Sequence, residues 1–566
     1  MVTATQLADD LLEISFDAEP LTATLYGVRD RDDRLTDHSE AAARALRARL
    51  ADVAARAAAL DGTGLDLEDR ITRAVVIQQA QAMQDHLAAR AVEYTVVDSM
   101  FAPVGELLSL LPRVGLAEPE HARAYLARLG AIPEVLATLR QRHRVGIAAN
   151  RVAVRPLVEA TVAYLDRYLA EPANDPLRVP TPAYGDAGGP DGAAGGPSAA
   201  EFTAERDRLL TEAVYPAFAE YRDFLRTEVA PPARPADRPG LCWLPDGDTA
   251  YAGLVRAHTT TERSAEELHQ TGLDLIDALA EEYRELGAKV FGTTDLAEIF
   301  RRLREDPALR WTSREELLDG ARQAIARAER AAPAWFGRLP SQRCVVEPVP
   351  SVEEAGAVTA YYMPPAMDGT RPGTYFANTY LPEERYRYIA EAIAFHEAVP
   401  GHHFQISLAQ EQSGLPMLRR IAPVTAYIEG WALYTERLAD EMGLYSDDLS
   451  RLGMLVEDSM RAGRLVVDTG LHAKGWSRQR AVDYLSQHTA MAPLEIRAEV
   501  DRYISAPGQA LSYMVGRLEI QRLRAHAERA LGSRFDIRAF HDTVLGHGPL
   551  PLAVLAEVVD AWIAEH

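Results

Sequence analysis

The most informative stretch of the chain is AFHEAVPGHHFQ, residues 394–405. It holds His396, followed directly by Glu397, and a pair of histidines, His402 and His403. Imidazole nitrogens and carboxylate oxygens are usual zinc ligands, and a carboxylate next to a ligating histidine can act as general base on water. The stretch therefore predicts a zinc site in which Glu397 is the catalytic base.

The spacing of these residues does not suit one regular helix. In the familiar H-E-x-x-H arrangement the two histidines share a helical face at i and i+4, but here that position is Pro400. On a regular helix His402 would point away from His396, and His403 would lie roughly 10 Å further along the axis. Proline and glycine interrupt helices, so we predict that two residues around Pro400 and Gly401 form a bulge. His402 then becomes the second ligand, with His403 as the alternative.

A second segment, YIEGWALYTE at residues 427–436, supplies two carboxylates from the next predicted helix. Glu429 is the predicted third ligand, because a carboxylate from a neighbouring helix completes a three-ligand set and leaves a fourth position for water. Glu436 lies seven residues later on nearly the same face. It could ligate instead, or orient a ligating histidine through a hydrogen bond.

These motifs resemble a known family. HEAVPGHHFQ followed by IEGWALYTERL resembles the bacterial family catalogued as domain of unknown function 885 (DUF885), a group described as zinc metallopeptidases. RLVVDTGLHAKGWS at 464–477 and APGQALSYMVG at 506–516 also resemble it, and the resemblance is strongest from about residue 241 onward. A more distant similarity links the motif to gluzincins such as thimet oligopeptidase, whose motif is uninterrupted. The resemblance implies a mainly α, multi-helix, zincin-like fold around a deep cleft with one Zn²⁺ ion.

Hydrolysis of an acyl bond also needs hydrogen-bond donors where negative charge develops on the carbonyl oxygen. Tyr513 resembles the cleft tyrosine that related zinc peptidases bring from a C-terminal helix, and His472 is the second candidate. His403 joins this group if it is not a ligand. Tyr513 and His472 could equally be hydrogen-bonded core residues.

Arginines in the same segments are candidates for substrate binding, because a guanidinium group can hold a carboxylate through two hydrogen bonds. Pairing with the many acidic residues of the chain is the ordinary alternative for any one of them. The basic residues concerned are Arg461, Arg464, Lys474 and Arg517.

The composition limits the possible partners and location. The 566 residues carry 60 basic and 83 acidic side chains, a net charge of −23, which argues against a nucleic-acid surface and against an anionic membrane. The two cysteines, Cys242 and Cys344, have no metal-binding or redox spacing and imply no disulfide framework. No targeting segment or long apolar stretch occurs, so the sequence predicts a cytoplasmic protein.

Periodicity predicts helices through most of the chain, including 41–60, 67–90, 118–129 and 132–145. The Gly/Pro/Ala-rich stretch at 181–200 is predicted to be a flexible loop. We place a boundary near 240, which separates an N-terminal helical scaffold, 1–240, from a catalytic metal-binding region, 241–566. The two regions are expected to pack as one bilobal unit.

A change of periodicity before the metal motif predicts a small antiparallel sheet from segments 345–349, 356–362 and 373–380. Gluzincins line their cleft with an edge strand that pairs with extended substrate. GTYFANTY at 373–380 is the candidate for that strand, with Asn378 facing the cleft. The alternative is that these are ordinary sheet residues.

The sequence thus predicts a zinc-dependent hydrolase that cleaves a peptide or amide bond in a short peptide or an amide-containing small molecule. One alternative is an amidase or acyl-transfer enzyme acting on a small-molecule biosynthetic intermediate. Another is a helical protein that binds metal without catalysis, against which the presence of Glu397 argues, because a purely structural site needs no base there.

Overall fold

The structure is a computed structural model, and it describes residues 2–181, 197–351, 354, 358–367, 369 and 371–566. Most of these residues lie in α-helices, which confirms the mainly α prediction. Most of the stretch predicted to be a flexible loop, residues 182–196, lies outside the described residues. Within the described ranges, no helix has the length and apolar character needed to cross a membrane.

The helices fall into three groups along the chain. Those of the N-terminal region are α1 (Ala4–Ala18), α2 (Pro20–Leu25), α3 (Glu40–Ala58), α4 (Leu67–Ala89), α5 (Pro103–Leu110), α6 (Pro119–Ala148), α7 (Arg155–Ala170), α8 (Ala199–Leu209) and α9 (Tyr215–Phe224). Those that precede the sheet are α10 (Gly247–Thr259), α11 (Ala265–Phe291), α12 (Leu296–Glu305) and α13 (Arg314–Ala331). Those that follow it are α14 (Ala390–Glu397), α15 (His402–Glu411), α16 (Met417–Ile421), α17 (Thr425–Glu441), α18 (Asp448–His472), α19 (Arg478–His488), α20 (Pro493–Ser505), α21 (Ser512–Leu531), α22 (Ile537–Leu545) and α23 (Leu552–Glu565).

One predicted interruption is absent. The segments 118–129 and 132–145 form a single 30-residue helix, α6, with Pro133 inside it. Both turns around the proline are held by buried side chains, among them Leu129, Ile132 and Leu136. Packing of this apolar face outweighs the one backbone hydrogen bond that proline removes.

The sheet is mixed, so the prediction of a purely antiparallel sheet is wrong. Its strands are β1 (Val345–Pro348), β2 (Ala360–Met363) and β3 (Thr374–Ala377), in the order β1-β3-β2. β1 runs parallel to β3, whereas β2 pairs with β3 antiparallel. β2 also contacts α14, which places the sheet beside the first half of the metal motif.

The proposed role of β3 is corrected by this strand order. β3 is the central strand, so both of its edges are already paired and it cannot add a substrate strand. Asn378 is fully buried, donates its amide to the carbonyl of Glu354 at 2.8 Å and accepts from the backbone N–H of Tyr380 at 3.0 Å. It shapes the turn after β3 and does not face a cleft.

The main hydrophobic core joins both ends of the chain. It contains Leu7 and Val75 from the N-terminal helices, Trp431 from α17 and Trp562 from α23. The two predicted regions therefore pack against each other across residue 240. A separate apolar cluster holds α5 to α9 together within the N-terminal region.

A buried carboxyl group links α18 to α10 and to the turn that precedes α21. Asp468 of α18 accepts from the Tyr251 hydroxyl of α10 at 2.5 Å and from the backbone N–H of Gly508 at 3.1 Å. Gly508 has φ +85°, a conformation that favours glycine, and it begins the short turn that leads into α21. Burial raises the pKa of Asp468 to about 7, because water no longer stabilises the charged form.

We expect Asp468→Asn to flatten part of the pH dependence of stability. The folded-state pKa lies above the unfolded value, so the free energy of unfolding should fall as pH rises from about 4 to about 7. An asparagine oxygen still accepts from Tyr251, but the side chain does not titrate. The decrease in the free energy of unfolding between pH 4 and pH 7 should therefore be smaller in the variant by on the order of 2–4 kcal/mol. Urea unfolding from pH 4 to 8 measures it, with exposed Asp483→Asn as the control. An unchanged slope in Asp468→Asn would contradict the prediction.

Candidate metal centre

The predicted interruption of the metal motif is confirmed, and it is a complete break. α14 ends at Glu397 and α15 begins at His402, so the motif spans two helices and not one helix with a bulge. Ala398 leaves the helical region at φ −108° and ψ −101°, and the Val399–Pro400 peptide bond is cis. His396 therefore closes one helix while His402 opens the next.

Gly401 lets the chain fold back tightly onto α14. A Cβ atom at this position would lie 1.8 Å from the carbonyl oxygen of His396 and 2.4 Å from that of Phe395. Real Cβ contacts of this kind do not occur, and both atoms belong to the backbone, so neither can rotate away. Only glycine fits where the chain turns back between the two histidines.

α17 holds the break in place through contacts that the sequence analysis missed. The Trp431 indole N–H donates to the carbonyl of Pro400 at 2.9 Å, and the Thr435 hydroxyl donates to that of Phe395 at 3.2 Å. Trp431 follows Glu429 by two residues and is fully buried. A buried indole needs a hydrogen-bond acceptor for its N–H. A tryptophan two residues after the predicted ligand Glu429 could therefore have indicated a hydrogen bond to the backbone near the site.

The structure brings His396, His402 and Glu429 together. One ligand atom of each lies within 4.8 Å of the other two. Glu429 Oε2 lies 3.6 Å from His396 Nε2 and 3.3 Å from His402 Nε2, and the two imidazole rings stand nearly perpendicular at 89°. Within the described residues Glu429 Oε2 is buried without a hydrogen bond of good geometry. Three convergent lone-pair donors of these types suit a divalent cation.

Glu436 takes the orienting role that was its alternative. Its Oε1 lies 2.7 Å from His396 Nδ1, and its side chain is 1% exposed. A carboxylate on Nδ1 fixes the ring and leaves Nε2 on the side of Glu429, 3.6 Å from its Oε2. This pairing of carboxylate and histidine is typical behind metal ligands.

The charges around the centre favour a cation. Burial opposes an imidazolium, but the neighbouring Glu429 and Glu436 carboxylates outweigh it and raise the pKa of His396 to about 9. Burial also favours a neutral Glu429, but the two imidazoles of His402 and His396 keep the pKa of that carboxyl well below its usual range. The carboxylates thus stabilise a positive charge at His396, and a divalent cation bound by the three side chains would take the place of that proton.

Glu397 lies at the end of α14, beside the ligand His396 and facing the sheet. It is half-buried, and no side chain in the described part of the molecule donates a hydrogen bond to its carboxylate. Burial raises the pKa of Tyr375 in β3, and the nearby charge of Glu397 raises it further. A carboxylate that is unpaired and partly open to solvent is available to accept a proton.

Tyr513 also lies at the centre. Its ring stacks on that of His396, with 6.3 Å between centroids and 20° between planes. Burial and the charge of Glu429 raise the pKa of the Tyr513 hydroxyl, which therefore stays a donor at neutral pH. α21 can approach α17 so closely because Gly430 and Gly516 meet at their crossing, where a Cβ on Gly430 would lie 2.4 Å from the Gly516 Cα.

Two predicted site residues lie elsewhere. His403 points away from the ligand cluster, since its Nε2 donates to the carbonyl of Gln342 and its Nδ1 accepts from the Tyr362 hydroxyl, both at 3.0 Å. The alternative that His403 is the second ligand is therefore wrong, because both nitrogens are occupied. It also lies outside the group of oxyanion donors.

His472 is a core residue. Its Nδ1 accepts from the backbone N–H of Leu241 at 3.2 Å, and its Nε2 donates to the carbonyl of Tyr503 at 3.0 Å. The ring is fully buried, and burial lowers its pKa to about 4. The prediction that His472 is catalytic is corrected, because neither nitrogen is free to reach a substrate.

The helical fold and the His/His/Glu cluster define a protein with a candidate metal centre built from three helices, α14, α15 and α17. The family model of DUF885, described as a bacterial protein of unknown function, matches residues 20–559. The chain belongs to this family.

Two solved structures are similar over the whole chain. A crystal structure described as "the putative lipoprotein from Colwellia psychrerythraea" matches with a TM-score of 0.89 and 28% identity, covering 100% of both chains. A structure of "a putative lipoprotein of unknown function from Shewanella oneidensis" matches with a TM-score of 0.75 and 18% identity, covering 99% of this chain and 100% of that chain. The latter likeness shows the fold alone. None of the curated proteins matches.

Gly401→Ala should displace the backbone between α14 and α15 and so disrupt the candidate metal centre. The added Cβ meets two carbonyl oxygens, so the chain between α14 and α15 must shift, at a cost of about 2 kcal/mol or more. We expect a lower unfolding temperature and loss of stoichiometric zinc, measured by thermal unfolding and elemental analysis. Gly414→Ala is the control, because a Cβ there meets nothing within 4 Å. Equal zinc content in the two variants would refute the role of Gly401.

The adjacent histidines should differ sharply in metal binding. His402→Ala removes a ligand atom and should abolish stoichiometric zinc, whereas His403→Ala removes only bonds to Gln342 and Tyr362 and should retain it. Zinc titration with a competing chelator measures both affinities. Tighter zinc binding by His402→Ala than by His403→Ala would overturn the ligand assignment.

Proposed function

We propose that the protein is a metal-dependent hydrolase that cleaves a peptide or amide bond. The observation that carries this proposal is the carboxylate of Glu397, which has no hydrogen-bond donor among the described side chains, directly follows the candidate ligand His396 and acts on the charge of that ring. A site built only to hold a structural ion closes its coordination shell and needs no such base.

The residues present fit a zinc ion held by His396, His402 and Glu429. Two neutral imidazoles and one carboxylate form a common three-residue set for catalytic zinc. Glu436 supports the fit, because it fixes His396 through Nδ1. A divalent ion bound there would supply the positive charge that acidifies a water molecule and polarises a carbonyl group.

The side chains around this set have complementary tasks. The Glu397 carboxylate takes a proton from the attacking water and then gives it to the nitrogen of the leaving amine. The Tyr513 hydroxyl donates a hydrogen bond to the carbonyl oxygen, which gains negative charge as water adds. Both side chains keep some exposure to solvent.

Glu397→Gln should separate metal binding from catalysis. Glutamine has the same shape but cannot accept the proton, so kcat should fall by about 10²- to 10⁴-fold while zinc content and unfolding temperature stay close to those of the wild type. The assay is hydrolysis of a peptide library by zinc-loaded protein. Glu411→Gln is the control, because that α15 carboxylate only accepts from Ser341 at the surface. Undiminished turnover in Glu397→Gln would remove it from the mechanism.

A further inference from the structure

Two buried arginines of α18 lie behind Tyr513. Arg461 and Arg464 are one helical turn apart and are 7% and 5% exposed. The guanidinium carbon of Arg464 lies 4.5 Å from the centroid of the Tyr513 ring, and that of Arg461 lies 5.9 Å from it. The Tyr513 ring also stacks on His396, so both arginines lie next to the candidate metal centre.

Each arginine is only partly satisfied by the protein. Arg464 donates through Nε and Nη2 to Glu499, and Arg461 donates through Nη1 to Glu457. Arg464 Nη1 and Arg461 Nε are buried and have no acceptor among the residues that the structure describes. A buried charged donor without an acceptor is costly, and such groups are normally matched by water or by a ligand.

The hydrogen-bonding carboxylates are fewer than the guanidinium groups. Glu499 is shared, because it also accepts from Arg502 at 2.9 Å. Three guanidinium groups, those of Arg461, Arg464 and Arg502, thus donate to only two carboxylates, Glu457 and Glu499.

Two further acids lie beside the cluster and accept no hydrogen bond from it. Glu436 Oε1 forms an ion pair with Arg461 Nη2 at 3.9 Å, beyond hydrogen-bond distance, and lies 2.7 Å from His396 Nδ1. Burial and the charge of Glu499 raise the pKa of Glu495 to about 7, so this carboxyl is partly uncharged at neutral pH. The other basic candidates are paired elsewhere, Arg517 with Asp458 and Lys474 with Glu266.

We infer that Arg461 and Arg464 bind a carboxylate of the substrate close to the scissile bond. One carboxylate supplies the acceptor oxygens that the two buried, unused N–H groups require. This inference rests on the proposed hydrolase function and specifies its substrate class. The carboxylate has two possible sources, the C-terminal carboxylate of a peptide or the side chain of an aspartate or glutamate.

The test compares matched peptides on the zinc-loaded wild-type enzyme. Acetyl-Xaa-Ala is offered with a free C-terminus and as the C-terminal amide, where Xaa is each common amino acid in turn. Acetyl-Xaa-Glu-amide and acetyl-Xaa-Gln-amide form the second pair. Hydrogen bonds to charged groups predict a kcat/KM on the order of 10- to 100-fold higher for the charged member of one pair. A preference within the first pair assigns the terminal carboxylate, and one within the second pair assigns the side chain.

Arginine variants test whether the preference for the charged peptide depends on Arg461 and Arg464. Arg464→Lys and Arg461→Lys keep the charge beside Glu499 and Glu457 but lose the geometry of the guanidinium donors, so each should reduce the acid-to-amide ratio by about tenfold. Arg478→Lys is the matched control, because Arg478 pairs with Asp501 through both of its bonding nitrogens, away from Tyr513, and should leave the ratio unchanged. The affinity of Glu397→Gln for the same peptides, measured by calorimetry, gives a readout that needs no turnover.

The outcomes separate the two proposals. Hydrolysis of both members of each pair at rates within about threefold would overturn the carboxylate site and leave the hydrolase function standing. An equal loss of preference in Arg478→Lys would also overturn it, because the effect would then not belong to this cluster. If the zinc-loaded wild type cleaves none of the peptides, the proposed function fails and the inference falls with it, whereas preferential binding and cleavage of one charged member supports both.

Discussion

The close approach of residue 401 to the end of α14 is the constraint on which the candidate centre depends. Because the chain folds back with no side chain in the way, the helix that ends after His396 is followed at once by a helix that begins with His402. The two imidazoles then meet at right angles, a relation that no pair of positions six residues apart can have on one regular helix. Two separate helices thus bring two histidines together, as a single helix does in the H-E-x-x-H motif.

α17 converts this local turn into a site. The same helix that carries Glu429 binds the carbonyl of Pro400 through Trp431 and the ligand His396 through Glu436. Its other side meets α21 where two glycines touch, which sets Tyr513 against the His396 ring. One helix and its crossing with α21 therefore position the candidate ligand Glu429, the carboxylate of Glu436 and the candidate hydrogen-bond donor Tyr513. A change in any of these contacts would displace several side chains of the candidate centre together.

The sequence could predict what depends on neighbouring residues, and not what depends on distant partners. Proline and glycine between the histidines indicated a break, and the helix that follows indicated a carboxylate ligand. His402 and His403, by contrast, look equivalent in sequence; they differ because Gln342 and Tyr362, some 60 and 40 residues earlier, occupy both nitrogens of His403. His472 was misassigned for the same reason, since its partners come from distant parts of the chain, and the central position of β3 follows from a strand order that periodicity does not encode. The zincin-like cleft and the cytoplasmic location stay predictions.

The main hydrophobic core has a consequence for how the molecule is made. Residues near position 7 pack in the same cluster as residues near position 562, with the metal-site helices between them. During synthesis, the face of α1 that contacts α16 stays uncovered until residues 417–421 have been made. Contacts between residues so far apart in sequence slow folding and leave intermediates with exposed apolar surface that can aggregate. The chain is therefore expected to depend on chaperones while it emerges from the ribosome, and residues 241–566 should not fold when expressed without the first eighty residues of the chain.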